Sequence, residues 1–390
     1  MNASDLQHIV IISPAHPLRG GIASSTERLA QELQHFGYQV KIYSFSLQYP
    51  SVFFPGKTQF TTDSAPVDLK IETLVNSVNP FNWWKIGKRL QRERPDLVIV
   101  RFWMPFFGPA LGTILRIAKQ NGHTQTMAIA DNVIPHERRL GDRSLTSYFL
   151  RSLDSFITMS RAVADDIRQF IKTEKPIKYV AHPIYDNYGE LVEREEAVEF
   201  LQLDPTPRYL LFFGFIREYK GLDLLLKAMS DPRVRAMNLK LIVAGEYYSN
   251  EAEYEELIAA LNIENQLELF NRFIPHDEVR YYFGAADLVV QPYKTATQSG
   301  ISQLAYHFEK PMVVTDVGGL SEIVEHGKVG YVVDVEVMAI ANAIVDFFNQ
   351  NRYEEMWRGV QENKTLFSWE NMVRGIEENY ENGRRLMADG

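Results

Sequence analysis

A chain of 390 residues, 45% hydrophobic and 23% charged, is long enough for two or three domains with ordinary cores, and its composition excludes bulk disorder. Its 50 acidic residues outweigh 41 basic ones, and a net charge of -9 argues against broad nucleic-acid binding while leaving room for a small basic pocket. There is no cysteine, so disulfides, thiolate metal sites and cysteine catalysis are excluded, and a reducing compartment is accommodated.

The opening MNASDLQHIVIISPAHP has no basic run before its short apolar stretch, so no secretory signal is expected. No segment approaches the ~20 uninterrupted apolar residues that a membrane-spanning helix needs. The expected location is cytoplasmic.

His8–Ser13 reads as a buried parallel strand, and Gly20 and Gly21 fall in the loop after it. Ser24 and Glu27, at capping-box spacing, predict a helix with Leu29, Leu33 and Phe36 on one face and Gly37 at its end. Tyr38–Phe45 is the next strand. Helices around Trp83–Glu93, Pro109–Gln120 and Ser144–Leu153 then alternate with strands Leu97–Arg101, Thr126–Ala130 and Phe156–Met159, and Ser160 stands where it could cap a helix through Ile171. Tyr185–Arg208, with its Asn, Gly, Pro and acidic run, breaks the rhythm and reads as a domain boundary.

A second series follows, with strands Tyr209–Phe213, Leu239–Ala244, Leu267–Phe270, Leu288–Gln291, Met312–Thr315 and Tyr331–Val333. Helices fit between them at Leu222–Met229, Glu251–Leu261 and His276–Phe283, and Ser368–Leu386 closes the chain as one amphipathic helix. The expected fold is α/β: two Rossmann-like doubly wound parallel-sheet domains facing a cleft. The expected division is 1–187, 188–367 and a closing helix 368–390 that returns to the first domain.

Four stretches sit where a strand gives way to a helix, the place where open parallel sheets bind ligands. Gly20-Gly21 admits close backbone approach to an anion at a helix start, or is an ordinary turn. Gly214-Phe215-Ile216-Arg217-Glu218-Tyr219-Lys220-Gly221 places two cations three residues apart, suited to a diphosphate leaving group on which charge develops. The stretch Gln291-Pro292-Tyr293-Lys294 through Gln298, Ser299 and Gly300, with Gln303 beyond them and Lys310-Pro311 at its end, offers amide and backbone groups to phosphate or sugar, or forms a tight helix start. Asp316-Val317-Gly318-Gly319 leads to Glu322, a carboxylate for ribose or sugar hydroxyls or a residue favoured by the helix dipole.

In order and spacing these stretches resemble the retaining nucleotide-sugar glycosyltransferases of the GT-B fold, family 4 (group 1 type). Val243-Ala244-Gly245-Glu246, Lys310-Pro311-Met312-Val313-Val314 and Ser368-Trp369-Glu370 carry the resemblance along nearly the whole chain. It implies that Arg217 and Lys220 grip the donor diphosphate as the catalytic cations. Gly20, Gly21, Gly214, Gly245, Glu246, Gln298, Ser299, Gly300, Gln303 and Glu322 would then bind the donor, a UDP- or GDP-sugar, with no built-in cofactor or metal. The acceptor would be a glycan or a lipid-linked sugar.

Two departures stand out. The family usually carries two glutamates before the Lys-Pro pair, and the matching positions fall near Ala296 and Leu304. The family often has a histidine at the position after the strand Thr126–Ala130, where this chain has Asp131-Asn132. His136 and Glu137 follow; all four are expected on the acceptor side, with a plain surface loop as the alternative reading of His136 and Glu137. Two alternatives stay open: a nucleotide-sugar epimerase, which can share this architecture, and an inactive nucleotide-sugar-binding partner subunit, which the missing glutamates motivate. Phe81-Asn82-Trp83-Trp84-Lys85, with Lys88, Arg89, Arg92 and Arg94, reads as a core-facing helix with a basic side, or as a weak peripheral membrane contact.

Overall fold

A computed structural model describes residues 6–50, 59–61, 64–134, 141–248, 251–296 and 299–388. The chain divides into two compact units: Met1–His182 together with Trp369–Gly390, and Pro183–Ser368.

The first unit is built on a parallel sheet of seven strands among the described residues, β1 (His8–Ile12), β2 (Gln39–Leu47), β3 (Ile71–Asn76), β4 (Leu97–Phe102), β5 (Gln125–Ala130), β6 (Ser155–Thr158) and β7 (Ile177–Tyr179). Their order is β3-β2-β1-β4-β5-β6-β7. Every residue of β4, β5 and β6 is buried, because helices cover both faces. Val98, Val100 and Phe102 meet helices Pro80–Glu93 and Gly108–Ala118 on one face. Leu97 and Ile99 meet helix Gly21–His35 and the closing helix Trp369–Ala388 on the other.

Local chemistry departs from the sequence expectation at the first helix. Gly20, at φ 117°, is its N-cap, and Ser24 lies inside it. Glu27 accepts the His16 N–H at 2.6 Å and so ties the loop instead of closing a capping box. Tyr38 N–H returns to Leu33 O at 3.1 Å around Gly37, a Schellman-type stop, while Phe36 stays 37% exposed. Ser160 holds an N-cap position, but its hydroxyl makes no capping bond. β3 and β7 are absent from the sequence reading. β7 has three residues, and β3 is an edge strand whose pairing with β2 slips in register.

The second unit carries a parallel sheet of six strands among the described residues, β8 (Arg208–Phe213), β9 (Leu239–Ala244), β10 (Leu267–Phe270), β11 (Leu288–Gln291), β12 (Met312–Thr315) and β13 (Gly330–Val333), in the order β10-β9-β8-β11-β12-β13. Helices Leu222–Met229, Glu251–Leu261 and Val337–Asn349 bury one face. Helix Val279–Ala285 lies on the other, with the Phe283 ring 5.3 Å from Phe213. Helix Arg194–Phe200 falls where the sequence reading has only a boundary segment, and Phe200 stacks on Tyr281 at 3.8 Å. Each sheet reverses its direction of growth once, between β1 and β4 and between β8 and β11. The carboxyl ends at those two points are where ligands bind in such sheets.

Candidate active site

In the second unit the loops after β8, β9 and β11 converge at the reversal point. Gly221, at φ 68°, caps helix Leu222–Met229, and a Cβ there would overlap the Pro292 carbonyl oxygen. Only glycine fits, on both conformational and steric grounds. Lys294 N–H donates to Tyr219 O at 2.7 Å, and Thr315 Oγ1 donates to Tyr293 O at 2.6 Å, so the ends of β8, β11 and β12 are laced together. Gly245 lies directly against Gly214 O, and Gly214 N–H donates to Ala244 O at 2.8 Å.

Lys220 is at the centre of this junction. Only 9% of it is exposed, its Nζ lies 5.6 Å from the Tyr293 ring centroid, and a Cβ on Gly214 would come within 3.2 Å of that nitrogen. Among the described residues its ammonium has no hydrogen-bond or ion-pair partner. Burial, with the Arg217 guanidinium nearby, pulls its pKa down to about 8. Arg217 rests over the Tyr248 ring at 4.2 Å and likewise makes no ion pair among the described residues. Lys294, by contrast, pairs with Asp223 at 2.9 Å. Two adjacent cations without counter-ions suit a ligand that brings its own negative charge.

The other expected donor residues stand in varied surroundings. Ser299 caps helix Gly300–His307, accepting the Ile301 N–H at 3.2 Å and donating to Gln291 Oε1 at 2.6 Å. Ser302 donates to the same oxygen at 3.0 Å, so a buried amide and two hydroxyls hold the loop. Gly300 packs against the Tyr185 ring. Gln303 is wholly buried on this helix, and neither its Oε1 nor its Nε2 finds a partner. Glu246 is half-buried beside the β9 end, and its backbone oxygen accepts Ile216 N–H at 2.8 Å. Glu322 is exposed on the short helix Leu320–Ile323. Gln298 lies outside the described residues. Gln291 and Tyr293 belong to the stretch singled out in the sequence, but their roles do not show there: Gln291 anchors Ser299 and Ser302, and Tyr293 O accepts the Thr315 hydroxyl.

In the first unit, Gly20 and Gly21 are exposed at the start of a helix of 15 residues, whose first-turn N–H groups have no partner within the helix and point where an anion is favoured. Asp131 and Asn132 directly follow β5. The Arg101 fork holds Asp131 through Nε at 3.0 Å and Nη2 at 2.5 Å, and Arg101 Nη1 donates to Ser25 Oγ at 3.2 Å. Asn132 Oδ1 accepts the Ile134 N–H at 3.3 Å. His136 and Glu137 lie outside the described residues. In the sequence Arg101 reads only as the end of an apolar strand, although an arginine closing such a run is itself a signal of a buried polar partner.

Two family models match the chain: "Glycosyltransferase Family 4" over residues 19–187 and "Glycosyl transferases group 1" over residues 193–363. An uncharacterised glycosyltransferase of Methanocaldococcus jannaschii is 23% identical over 384 residues, which is 96% of this chain and 98% of that protein. A D-inositol 3-phosphate glycosyltransferase of Pseudarthrobacter chlorophenolicus is 33% identical over 135 residues, 34% of this chain and 32% of that one. Among solved structures, sucrose-phosphate synthase from Thermosynechococcus elongatus superposes with a TM-score of 0.73 at 18% identity, covering 98% of this chain and 100% of its own. The Anabaena protein HepE in complex with UDP gives 0.71 at 16% identity, covering 96% and 100%.

Proposed function

This chain belongs to the group 1 glycosyltransferases, and from that premise we propose that it transfers a glycosyl unit from a UDP- or GDP-sugar to an acceptor hydroxyl with retention of anomeric configuration. The observation that carries the reading is the buried ammonium of Lys220 beside Arg217, neither with an ion-pair partner among the described residues, at the carboxyl end of β8. Breaking the glycosidic bond leaves negative charge on the diphosphate. Cations already desolvated and fixed in place stabilise that charge more strongly than mobile surface cations do.

Gly214 leaves room for the donor beside Lys220. Gly245, Ser299 and Gly300 shape the loops that hold it, and Glu246, Gln298, Gln303 and Glu322 supply polar contacts to sugar and ribose. Gly20 and Gly21 bring backbone N–H groups to the donor phosphate. Asp131 and Asn132, with His136 and Glu137, form the acceptor side for a glycan or lipid-linked sugar. The epimerase and partner-subunit alternatives gain no support from the relatives and structural neighbours, which are glycosyltransferases and synthases by name.

The test is thermal stabilisation by UDP, GDP, ADP and their sugar conjugates. A ligand at a hundredfold excess over its dissociation constant adds about 2.7 kcal/mol of apparent stability. The expected result is a clear shift with one base that is lost in Lys220→Ala. No shift with any nucleotide overturns the reading.

A second reading, weak contact with a membrane surface, is favoured by the first turn of helix Pro80–Glu93. Phe81 is 86% exposed and Trp84 57% exposed, next to Lys85, while Ile86, Gly87 and Leu90 face the core. Among the described residues no helix is long and apolar enough to cross a membrane. The proposed setting is the cytoplasmic face of a membrane, reached through this surface. Flotation with anionic vesicles, reduced in Phe81→Ser/Trp84→Ser at unchanged thermal stability, is the expected outcome. Equal flotation of parent and variant removes it.

A further inference from the structure

β4 reads Leu-Val-Ile-Val-Arg-Phe, and all six residues are buried. Strand alternation places Leu97, Ile99 and Arg101 on the face covered by helix Gly21–His35. The first two meet apolar neighbours. Arg101 instead spans from Ser25 on that helix to Asp131 at the end of β5, through three charge-assisted hydrogen bonds. The Arg101 side chain is 4% exposed and that of Asp131 is 18% exposed.

Stability does not explain such a pair. Replacing a buried ion pair with apolar side chains of similar volume is often neutral, or stabilising by about 1–4 kcal/mol. What the pair does achieve is orientation. The planar fork engages both oxygens of Asp131 and fixes the carboxylate plane. A carboxylate has about four lone-pair sites, so roughly two remain after the fork is made. The open edge lies at the carboxyl end of the sheet, one strand from the reversal point between β1 and β4 and on the same end as Gly20-Gly21.

We propose that Arg101 is a positioning residue that presents Asp131 to the hydroxyls of the acceptor, and that the group bound there is a neutral sugar face. Asp131 accepts a hydrogen bond from one hydroxyl, or from a vicinal pair, and its charge repels an anionic acceptor group. The inference rests on the transferase reading for its purpose, but the sugar contact itself is measured without any donor.

The experiment uses the full chain and three probes, the methyl α-glycosides of glucose, galactose and mannose, read by saturation-transfer NMR. In parallel, UDP and GDP are read by thermal shift. The parent contacts at least one glycoside. Arg101→Lys keeps the charge, loses the fork and binds that glycoside about tenfold more weakly or worse. The double variant Arg101→Met/Asp131→Leu loses the contact without a fall in melting temperature, while Lys220→Ala retains it. All Arg101 variants keep the parent's nucleotide response. With an active donor–acceptor pair, the acceptor KM rises in Arg101→Lys while the donor KM holds. The proposal is overturned if no glycoside contacts the parent, if contact survives in both Arg101 variants, or if their nucleotide response falls together with it. A parent that binds glycosides through Arg101 but responds to no nucleotide upholds this site and overturns the transferase reading instead.

Discussion

At the residue scale, Lys220 links burial to function. Its folded pKa of about 8 lies below the ordinary lysine value of about 10.4, so the folded protein disfavours the charged form. Below pH 8 that penalty is fully present, and it fades as pH rises through 8 towards the unfolded value. A bound diphosphate reverses the preference by pairing with the ammonium. Nucleotide binding is therefore expected to take up a proton between about pH 8 and 10, and affinity is expected to fall as pH rises above about 8. Calorimetry in two buffers of different ionisation enthalpy measures the uptake, and Lys220→Met is expected to abolish it.

Gly221 is the second residue-scale test. Alanine there meets both a positive φ and the Pro292 carbonyl, and the expected cost is roughly 2–4 kcal/mol by urea denaturation. The motif that places Arg217, Lys220 and Gly221 was readable as a line of text. That Gly221 exists to let two loops touch was not, because Pro292 lies far along the chain.

At the scale of elements, helix Gly300–His307 begins at the site and depends on Ser299 for its cap. Ser299→Ala removes that cap and leaves Gln291 Oε1 with Ser302 alone, an expected loss of about 1–2 kcal/mol by thermal denaturation. The UDP or GDP response is expected to persist, since the hydroxyl is already engaged within the protein. Central strands were legible because burial on both faces writes an unbroken apolar run, as in Leu-Val-Ile-Val of β4. The edge strand β3 and the three-residue β7 carry no such run, and the exposed turns of helix Arg194–Phe200 hid among Glu and Arg. Ser24 had the right spacing for a cap, yet Gly20 starts the helix a turn earlier, because glycine alone tolerates the φ of the preceding loop.

At the scale of the whole molecule, the closing helix is distant in sequence from the unit it completes. Trp369, Met372, Val373, Ile376 and Tyr380 recur at helical spacing and join the core of Leu29, Leu33 and Ile99, and the buried Asn379 donates to Phe156 O at 3.1 Å. At about 1.5–3 kcal/mol for each buried side chain, these five contribute roughly 8–15 kcal/mol. That is comparable to the entire stability of a typical domain. Truncation after Ser368 is therefore expected to strip hydrogen-exchange protection from residues 6–182 while 183–368 retain theirs. Uniform protection across both units would show that the helix is dispensable.

The sequence by itself determined the parallel α/β class, the order of most strands and helices, and the cationic loop, because apolar runs, glycine turns and paired cations are local patterns. Tertiary structure alone decided that Lys220 is buried and without an ion-pair partner among the described residues, that Ser299 supports Gln291, and that Arg101 in a buried strand grips Asp131. Those facts depend on strand order. β4 lies between β1 and β5, and β8 beside β11, so residues far apart in the chain share one sheet end, where burial and partner choice are set by neighbours that no local pattern specifies.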